Sequence, residues 1–566
     1  MQNLLYHKLT GRSDGAITLF ALFAPLICCW QVAGQSGIPK QWDVTEVSLS
    51  ADTAYDNPYR EVEVSVIFTG PEGQRLSLRG FWDGGRTYRL RFTPPAPGRW
   101  HYQIENNQQD AGLTGQGEIL VDPGDEPGFV RRDSAHPYHF VHDDGSPYFM
   151  FGTTYYDLML NAMAGDRWQA AIDSARHYGI NKVRMNVHPM HSEKSYYPFV
   201  DGFVTVGADS VNANRLNIDY WRKLDEVIAY AAERGVKVDL MPFGIHRTYY
   251  APTVEEDEQY LRYVIARYAA YPHVLWTLVN EWNYRTRIGI EKPYWNRMGE
   301  LLREEDPWQA DSGQGPRLLS IHQQTRIDWQ FLNYAWPSHI ILQVGVRTGQ
   351  GTVADEWDLT TETQPAYREG DAWGNAGILY NRGHELPVVN DEYGYIGEPR
   401  DRAAATNRDD KESWPRLTRE RHRNIIWGIY LAGGYGSAGD KNAYPDGNPY
   451  FSANWHPAPE YEDIKHLIDF FTTLGLPYRR MQPSNDLVDD AERVYLLAEA
   501  GRHYLFYDAT GSAFQATVEP GDYSLLRFNP ATGSSQEEAI TVGPEGIHLT
   551  KPPQAGHDRV IYLKRQ

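Results

Sequence analysis

The sequence predicts an α/β fold, a (β/α)8 TIM barrel flanked by N-terminal and C-terminal β-sandwich domains. Three observations predict it. Residues 136–476 alternate between apolar strand-like runs and amphipathic helical runs, as parallel βα units do. Residues 41–122 and 477–566 carry short runs of period two between Gly-containing turns, the pattern of sandwiches. A chain of 566 residues, 41% hydrophobic and 23% charged, has room for two or three such domains.

Residues 1–34 read as an export signal. Lys8 and Arg12 precede the apolar run Ala16 to Trp30, and small residues follow at Val32-Ala33-Gly34. The run is shorter than the roughly 20 residues a spanning helix needs, and no later stretch approaches that length, so no membrane span is expected. The expected location is periplasmic or extracellular. Leu26-Ile27-Cys28-Cys29 is a fainter match to lipoprotein processing, with bulky Cys28 where a small residue belongs. Both cysteines lie in this segment. Cleavage after Gly34 therefore leaves no cysteine for disulfides, thiolate catalysis or Cys-ligated zinc.

The first sandwich is carried by runs such as Val62-Glu63-Val64-Ser65-Val66-Ile67-Phe68, and Asp122-Pro123-Gly124-Asp125-Glu126-Pro127-Gly128 serves as the linker that follows. Eight strands are expected next: Tyr148 to Thr153, Lys182 to Val187, Val236 to Phe243, Val274 to Val279, Leu318 to His322, Ile340 to Val344, Val388 to Asp391, and a weak one at Gly436 to Gly439. Between the third and fourth, Thr253 and Glu256 make a capping box ahead of the apolar stripe Tyr260, Leu261, Val264, Ile265 and Tyr268. An open doubly wound sheet is the alternative, but no Gly-rich phosphate turn follows the first strand. Runs at Val494 to Leu497, Tyr504 to Tyr507, Tyr523 to Phe528 and Val560 to Leu563 build the second sandwich.

The formal net charge of −20 argues against a nucleic-acid or anionic-membrane partner, since either would require clustered Lys/Arg. Aromatic residues, 17 Trp and 38 Tyr among them, suit sugar faces as well as they suit cores.

In a barrel of this type chemistry collects at the C-terminal strand ends. Strand four runs into Asn280-Glu281-Trp282-Asn283 and strand seven into Asp391-Glu392-Tyr393-Gly394. These strands lie almost opposite one another, so the two glutamates are expected to face each other across the mouth. Glycoside cleavage with retention needs such a pair about 5–5.5 Å apart, one protonated and one ionised.

These motifs resemble glycoside hydrolase clan A, whose signature is Asn-Glu after strand four and a nucleophilic Glu after strand seven. The resemblance implies Glu281 as acid/base and Glu392 as nucleophile. More narrowly, Phe151-Gly152-Thr153-Thr154-Tyr155-Tyr156 through Asn390-Asp391-Glu392-Tyr393-Gly394 resembles the apiosidase-like glycoside hydrolases. Asn57-Pro58-Tyr59, Phe68-Thr69-Gly70-Pro71 and Gly80-Phe81-Trp82-Asp83-Gly84 look like the uncharacterised sandwich that often precedes such barrels. Arg527-Phe528-Asn529-Pro530-Ala531-Thr532-Gly533 looks like the small sandwich, of collagen-binding type, that often follows them.

The resemblance also implies helpers. Asn280 is expected at the sugar 2-hydroxyl, and Arg184 at Glu392 through a charge-assisted bond. His188, His191, His246 and His322 follow strands two, three and five, where they could bind hydroxyls or serve the fold alone. Tyr393 adjoins the nucleophile, and Trp455 stands where related barrels place a stacking platform or pack a core. No metal or cofactor is expected, since His188 and His191 lack a third ligand at recognisable spacing, and Gly349-Gln350-Gly351 lacks the rest of a nucleotide fingerprint. The expected partner is a plant or algal polysaccharide or oligosaccharide, attacked from its end by a pocket that the long segments Met190 to Asn214 and Thr348 to Trp373 would wall. An endo-acting glycanase and a non-catalytic carbohydrate-binding barrel are the alternatives; the latter would have lost one carboxylate, and both are present. Sugar, linkage and oligomeric state are not legible.

Overall fold

The computed structural model describes residues 37–156, 158–165, 168–189, 199–207, 210–244, 253–283, 290–309, 313–324, 328–344, 373–393, 395–396, 419–440, 458–551 and 557–566. The proposed export signal, His191, His246 and Trp455 lie outside these residues, as do most of the segments expected to wall the pocket. Among the described residues no helix is long and apolar enough to cross a membrane.

Eight parallel strands close into a barrel: β1 (Phe151–Thr154), β2 (Lys182–Asn186), β3 (Lys237–Met241), β4 (Val274–Thr277), β5 in two pieces (Leu319–Ser320 and His322–Gln324), β6 (Ile340–Gln343), β7 (Val388–Asn390) and β8 (Tyr435–Asp440). The break in β5 is what closes the ring: its first piece pairs with β4 through Trp276 and Leu319, and its second with β6 through His322 and Ile341. β8 pairs with both β1 and β7, so the order runs from β4 back through β1 to β8, β7, β6 and β5. The strands are buried on both faces because helices cover the outside.

The covering helices are α1 (Leu158–Ala164), α2 (Trp168–His177), α3 (Ile218–Glu233), α4 (Val254–Tyr268), α5 (Lys292–Glu305), α6 (Trp373–Asn381), α7 (Arg419–Leu431) and α8 (Glu460–Thr473). Each begins or ends for a local reason where the sequence supplies one. Thr253 and Glu256 exchange reciprocal cap bonds at the start of α4, and Gly235 takes the left-handed conformation just past α3.

A three-stranded antiparallel sheet, Val130–Arg132, Phe140–His142 and Pro147–Tyr148, lies against the N-terminal ends of the barrel strands. Leu318 donates its backbone N–H to Val130, and Phe129 packs face-on against Trp308. The mouth opposite this floor is where β4 and β7 deliver their glutamates.

Residues 45–121 form two facing sheets, Thr45–Ser50, Thr87–Phe92 and Phe81–Trp82 against Arg75–Arg79, Val64–Thr69, Gly98–Asn106 and Gly115–Val121. Phe68 and Phe92 stack between them at 3.9 Å. Salt bridges tie this sandwich to the barrel: Asp225 of α3 accepts from Arg91 at 2.6 Å and from Arg267 of α4 at 2.7 Å, and Arg267 reaches Asp83 at 2.9 Å. Of the C-terminal strands from Gln482 to Arg565, Phe514–Ala516 and Ile547–Leu549 pair with each other, and six others form a sheet that shares an apolar core with them. It docks on α7, where Trp427 stacks on Tyr507 and Arg423 meets Asp558 in a fork of 2.8 and 2.9 Å bonds.

Candidate active site

Both candidate glutamates sit just past the ends of their strands, nearly but not wholly buried, with 7% of Glu281 and 5% of Glu392 exposed. Glu281 adopts φ 50°, a left-handed conformation disfavoured by about 1–2 kcal/mol for a residue with a β-carbon. Its backbone N–H donates to His322 Nδ1 at 3.1 Å. Such strain concentrates where a side chain must be aimed.

Glu392 is gripped at one oxygen. Arg184 of β2 donates from Nη2 to Oε2 at 2.7 Å, and the Tyr156 hydroxyl, just beyond β1, donates to the same oxygen. Arg184 also bonds the Tyr156 oxygen, and its Nε reaches Thr154 Oγ1 at 3.3 Å. Tyr156 in turn lies 3.3 Å from Asn280 Oδ1, so one phenol joins the ends of β4 and β7. Burial, reinforced by Glu392 and Glu281, keeps this phenol protonated well above its usual range despite the pull of Arg184.

His322 spans the two glutamates from the other side. With Nδ1 accepting from Glu281, the proton of the neutral ring falls on Nε2, which lies 3.9 Å from Glu392 Oε2. Burial, with Arg184 and Lys182 nearby, pushes this imidazole well below its ordinary pKa, so it stays neutral.

Below this layer sits a second, ionic one. Lys182 donates to Asp239 at 2.9 Å and to Asp391 at 2.6 Å, Thr277 donates to Asp239 at 2.6 Å, and Ser437 donates to Asp391. Burial opposes every charge here, yet the two carboxylates hold the Lys182 ammonium above its usual pKa, and Lys182 and Arg184 hold Asp391 far below the carboxylate range. Arg184 Nη1 lies 3.6 Å from Asp391 Oδ2, linking the two layers.

The structure thus brings Glu281, Glu392, Asn280, Arg184 and His322 together. His188 is tied through Nδ1 to Asp201 at 2.9 Å and stacked on Phe203, under the hairpin that follows β2. Tyr393 is wholly buried, and its hydroxyl and His422 Nε2 of α7 share a hydrogen bond of 3.0 Å. Tyr156, Lys182 and Asp391 were not expected from sequence. Their partners lie up to 236 positions away, and only a pair of aromatics after strand one hinted at the first. Among the described residues no cluster of three or more His, Cys, Asp or Glu is arranged to hold a metal ion.

Residues 134–457 match the apiosidase-like catalytic domain, and residues 39–107 match a domain of unknown function, DUF5060. The fold is shared with a candidate glycoside hydrolase from Bacteroides vulgatus, 19% identical with a TM-score of 0.71 over 93% of this chain and 99% of that one. It is also shared with a glycoside hydrolase family 5 protein of the same organism, 16% identical with a TM-score of 0.58 over 78% of this chain and 94% of that one. No curated protein gives a significant match.

Proposed function

The chain belongs to the family of apiosidase-like catalytic domains and is a glycoside hydrolase, and on that premise we propose that it is a retaining enzyme in which Glu392 is the nucleophile and Glu281 the acid/base. The observation that carries the assignment of roles is the double donation onto Glu392 Oε2 by Arg184 and Tyr156. An oxygen that accepts from a guanidinium and a phenol is held still for attack.

In the first step Glu392 forms a bond to the anomeric carbon while Glu281 gives its proton to the departing glycosidic oxygen. In the second, Glu281 takes a proton from water, the water oxygen attacks the same carbon, and Glu392 is released as a carboxylate. Asn280, fixed by Tyr156, serves the sugar 2-hydroxyl. His322 supports both glutamates as a neutral ring, and His188, His246 and Trp455 bind the sugar.

The substrate class is a plant or algal polysaccharide or oligosaccharide, taken from its end; the long segments after strands two and six, rich in Tyr, Trp, Asp and Gly, support a walled pocket. The pattern of Lys8, Arg12 and the apolar run after them supports export.

Product analysis on a panel of aryl glycosides and plant and algal polysaccharides tests this reading. The first-formed sugar should keep its anomeric configuration by NMR, and monosaccharide should appear from the outset. An inverted product would remove the nucleophile from Glu392, and early mixed oligosaccharides would make the enzyme endo-acting. Glu281→Gln and Glu392→Gln should each abolish most turnover while the melting temperature holds. With an activated aryl glycoside, azide should rescue Glu281→Ala.

A further inference from the structure

Strand β2 and its extension alternate strictly: Lys182, Arg184, Asn186 and His188 at one parity, Val183, Met185 and Val187 at the other. All are buried. Arg184 of the polar set reaches Glu392, so this face looks into the barrel. Along it toward the mouth, the polar groups differ sharply in how far they are partnered. Lys182 has two carboxylates, and Arg184 has Glu392, Tyr156 and Thr154. His188 uses Nδ1 on Asp201 and leaves Nε2 without a hydrogen-bond partner. Asn186, 0% exposed, has no hydrogen-bond partner among the described residues at either Nδ2 or Oδ1. Across the barrel, Gln343 at the end of β6 is in the same condition at Oε1.

A buried polar group without a partner is destabilising, and more than nine in ten such groups in folded proteins are paired. Leucine would fit the same volume without that penalty. An amide left unpaired at both ends, on the strand that also anchors the nucleophile, is therefore best explained by what it binds.

We propose that the Asn186 side chain is a sugar-hydroxyl site of this same cleft, donating from Nδ2 to one hydroxyl of a vicinal diol and accepting at Oδ1 from its neighbour. The proposal rests on the glycosidase reading and names a group of the substrate that this reading leaves open. Hydroxyls fit because each can both give and take a hydrogen bond, whereas a cation would be repelled by Nδ2–H and an anion by Oδ1. Asn186 stands two residues beyond Arg184, about 6.6 Å along the strand, within one ring's reach of the nucleophile's anchor. Gly244, past the end of β3, bounds the amide: a methyl group there would lie 3.7 Å from Asn186 Cγ and Oδ1. His188 Nε2, next along the face, is placed for an adjacent hydroxyl.

The test uses Asn186→Leu in the full chain, with Asn186→Ala as a second variant should the leucine not fold. Wild type is first assayed on para-nitrophenyl glucoside, galactoside, mannoside, xyloside and arabinofuranoside, and the glycoside turned over fastest, with its monodeoxy analogues, becomes the probe. Asn186→Leu should melt at the wild-type temperature or higher, since it removes an unpaired amide, while kcat/KM falls by about tenfold or more. One monodeoxy analogue should lose about tenfold against its parent in wild type and show no such penalty in either variant. A variant that keeps wild-type kcat/KM, or that loses activity and melting temperature together with the deoxy penalty intact, overturns the proposal. Wild type inert on every aryl glycoside and polysaccharide would instead fail the glycosidase reading, and this proposal would fall with it.

Discussion

Arg184 lies 2.7 Å from Glu392 and 3.6 Å from Asp391, so a single guanidinium spans two consecutive carboxylates at the end of β7. Only a planar fork can serve Glu392, Tyr156 and Thr154 at once. Arg184→Lys should therefore lower kcat by about 10²-fold or more with a much smaller change in KM, because the lost contacts orient the nucleophile. Steady-state kinetics on an aryl glycoside decide this; an equal rise in KM with kcat intact would place Arg184 in ground-state binding instead.

Gly152 of β1 makes room for the ionic layer. A β-carbon there would lie 2.6 Å from Lys182 Cε and still closer to Ser437 Oγ. Gly152→Ala should accordingly destabilise the barrel by about 1–3 kcal/mol, as overpacking of a filled interior does. Adding Ser437→Gly should recover part of the melting temperature. Thermal melts of the two variants check the claim, and an unchanged melt for the single variant would show that this layer yields easily.

The sequence made the barrel legible wherever a strand was an apolar run ended by a polar residue, as in β4 and β7. It was least legible at β8, whose Tyr-Gly-Ser-Ala-Gly-Asp composition has no strand pattern and pairs only because β1 and β7 flank it. The floor sheet from Val130 to Tyr148 was not legible, because its strands of two or three residues fall within a stretch that reads as linker and strand-one approach. At the site, Glu281 and Glu392 were readable from strand-end position. Tyr156 was not, since its partners Asn280 and Glu392 come from distant units. The contact between Tyr393 and His422 was not legible either, since the two lie 29 positions apart on a strand end and a helix.

Acid should unfold this protein early. His139, His142, His339 and His422 are buried, and burial pushes them from an ordinary value near 6.5 to about 3, 4, 3 and 3. His322 shifts the same way. In the unfolded chain each takes a proton near pH 6.5, so between there and about pH 3–4 the unfolded state binds more protons. Stability therefore falls as pH falls through that window, by up to about 1.4 kcal/mol per pH unit for each ring. Melting temperatures should drop steeply between pH 6.5 and 5, before most carboxylates titrate. His422→Gln should flatten the slope, and a melting temperature constant from pH 7 to 5 would contradict it.

Lys237 is the opposite case, a buried cation at the floor end of β3. It is 5% exposed, and among the described residues its ammonium donates to the backbone oxygen of Pro272 at 3.4 Å. Burial, with Arg317 adding repulsion, lowers its pKa from 10.5 to about 8 in spite of Glu126 and Asp143. Below pH 8 it is charged in both folded and unfolded chains, so the folded state bears the full desolvation penalty at pH 7. Between pH 8 and 10.5 the unfolded chain holds the extra proton, and stability rises with pH. Lys237→Met keeps the stem and removes the charge. It should stabilise the protein at pH 7 by on the order of 1–3 kcal/mol, a gain that shrinks toward zero at pH 10. Paired melts at the two pH values check this: an advantage that persists unchanged at pH 10 would mean better packing rather than relief of a buried charge, and a loss at pH 7 would mean that Lys237 is paired more strongly than its long bond to Pro272 implies.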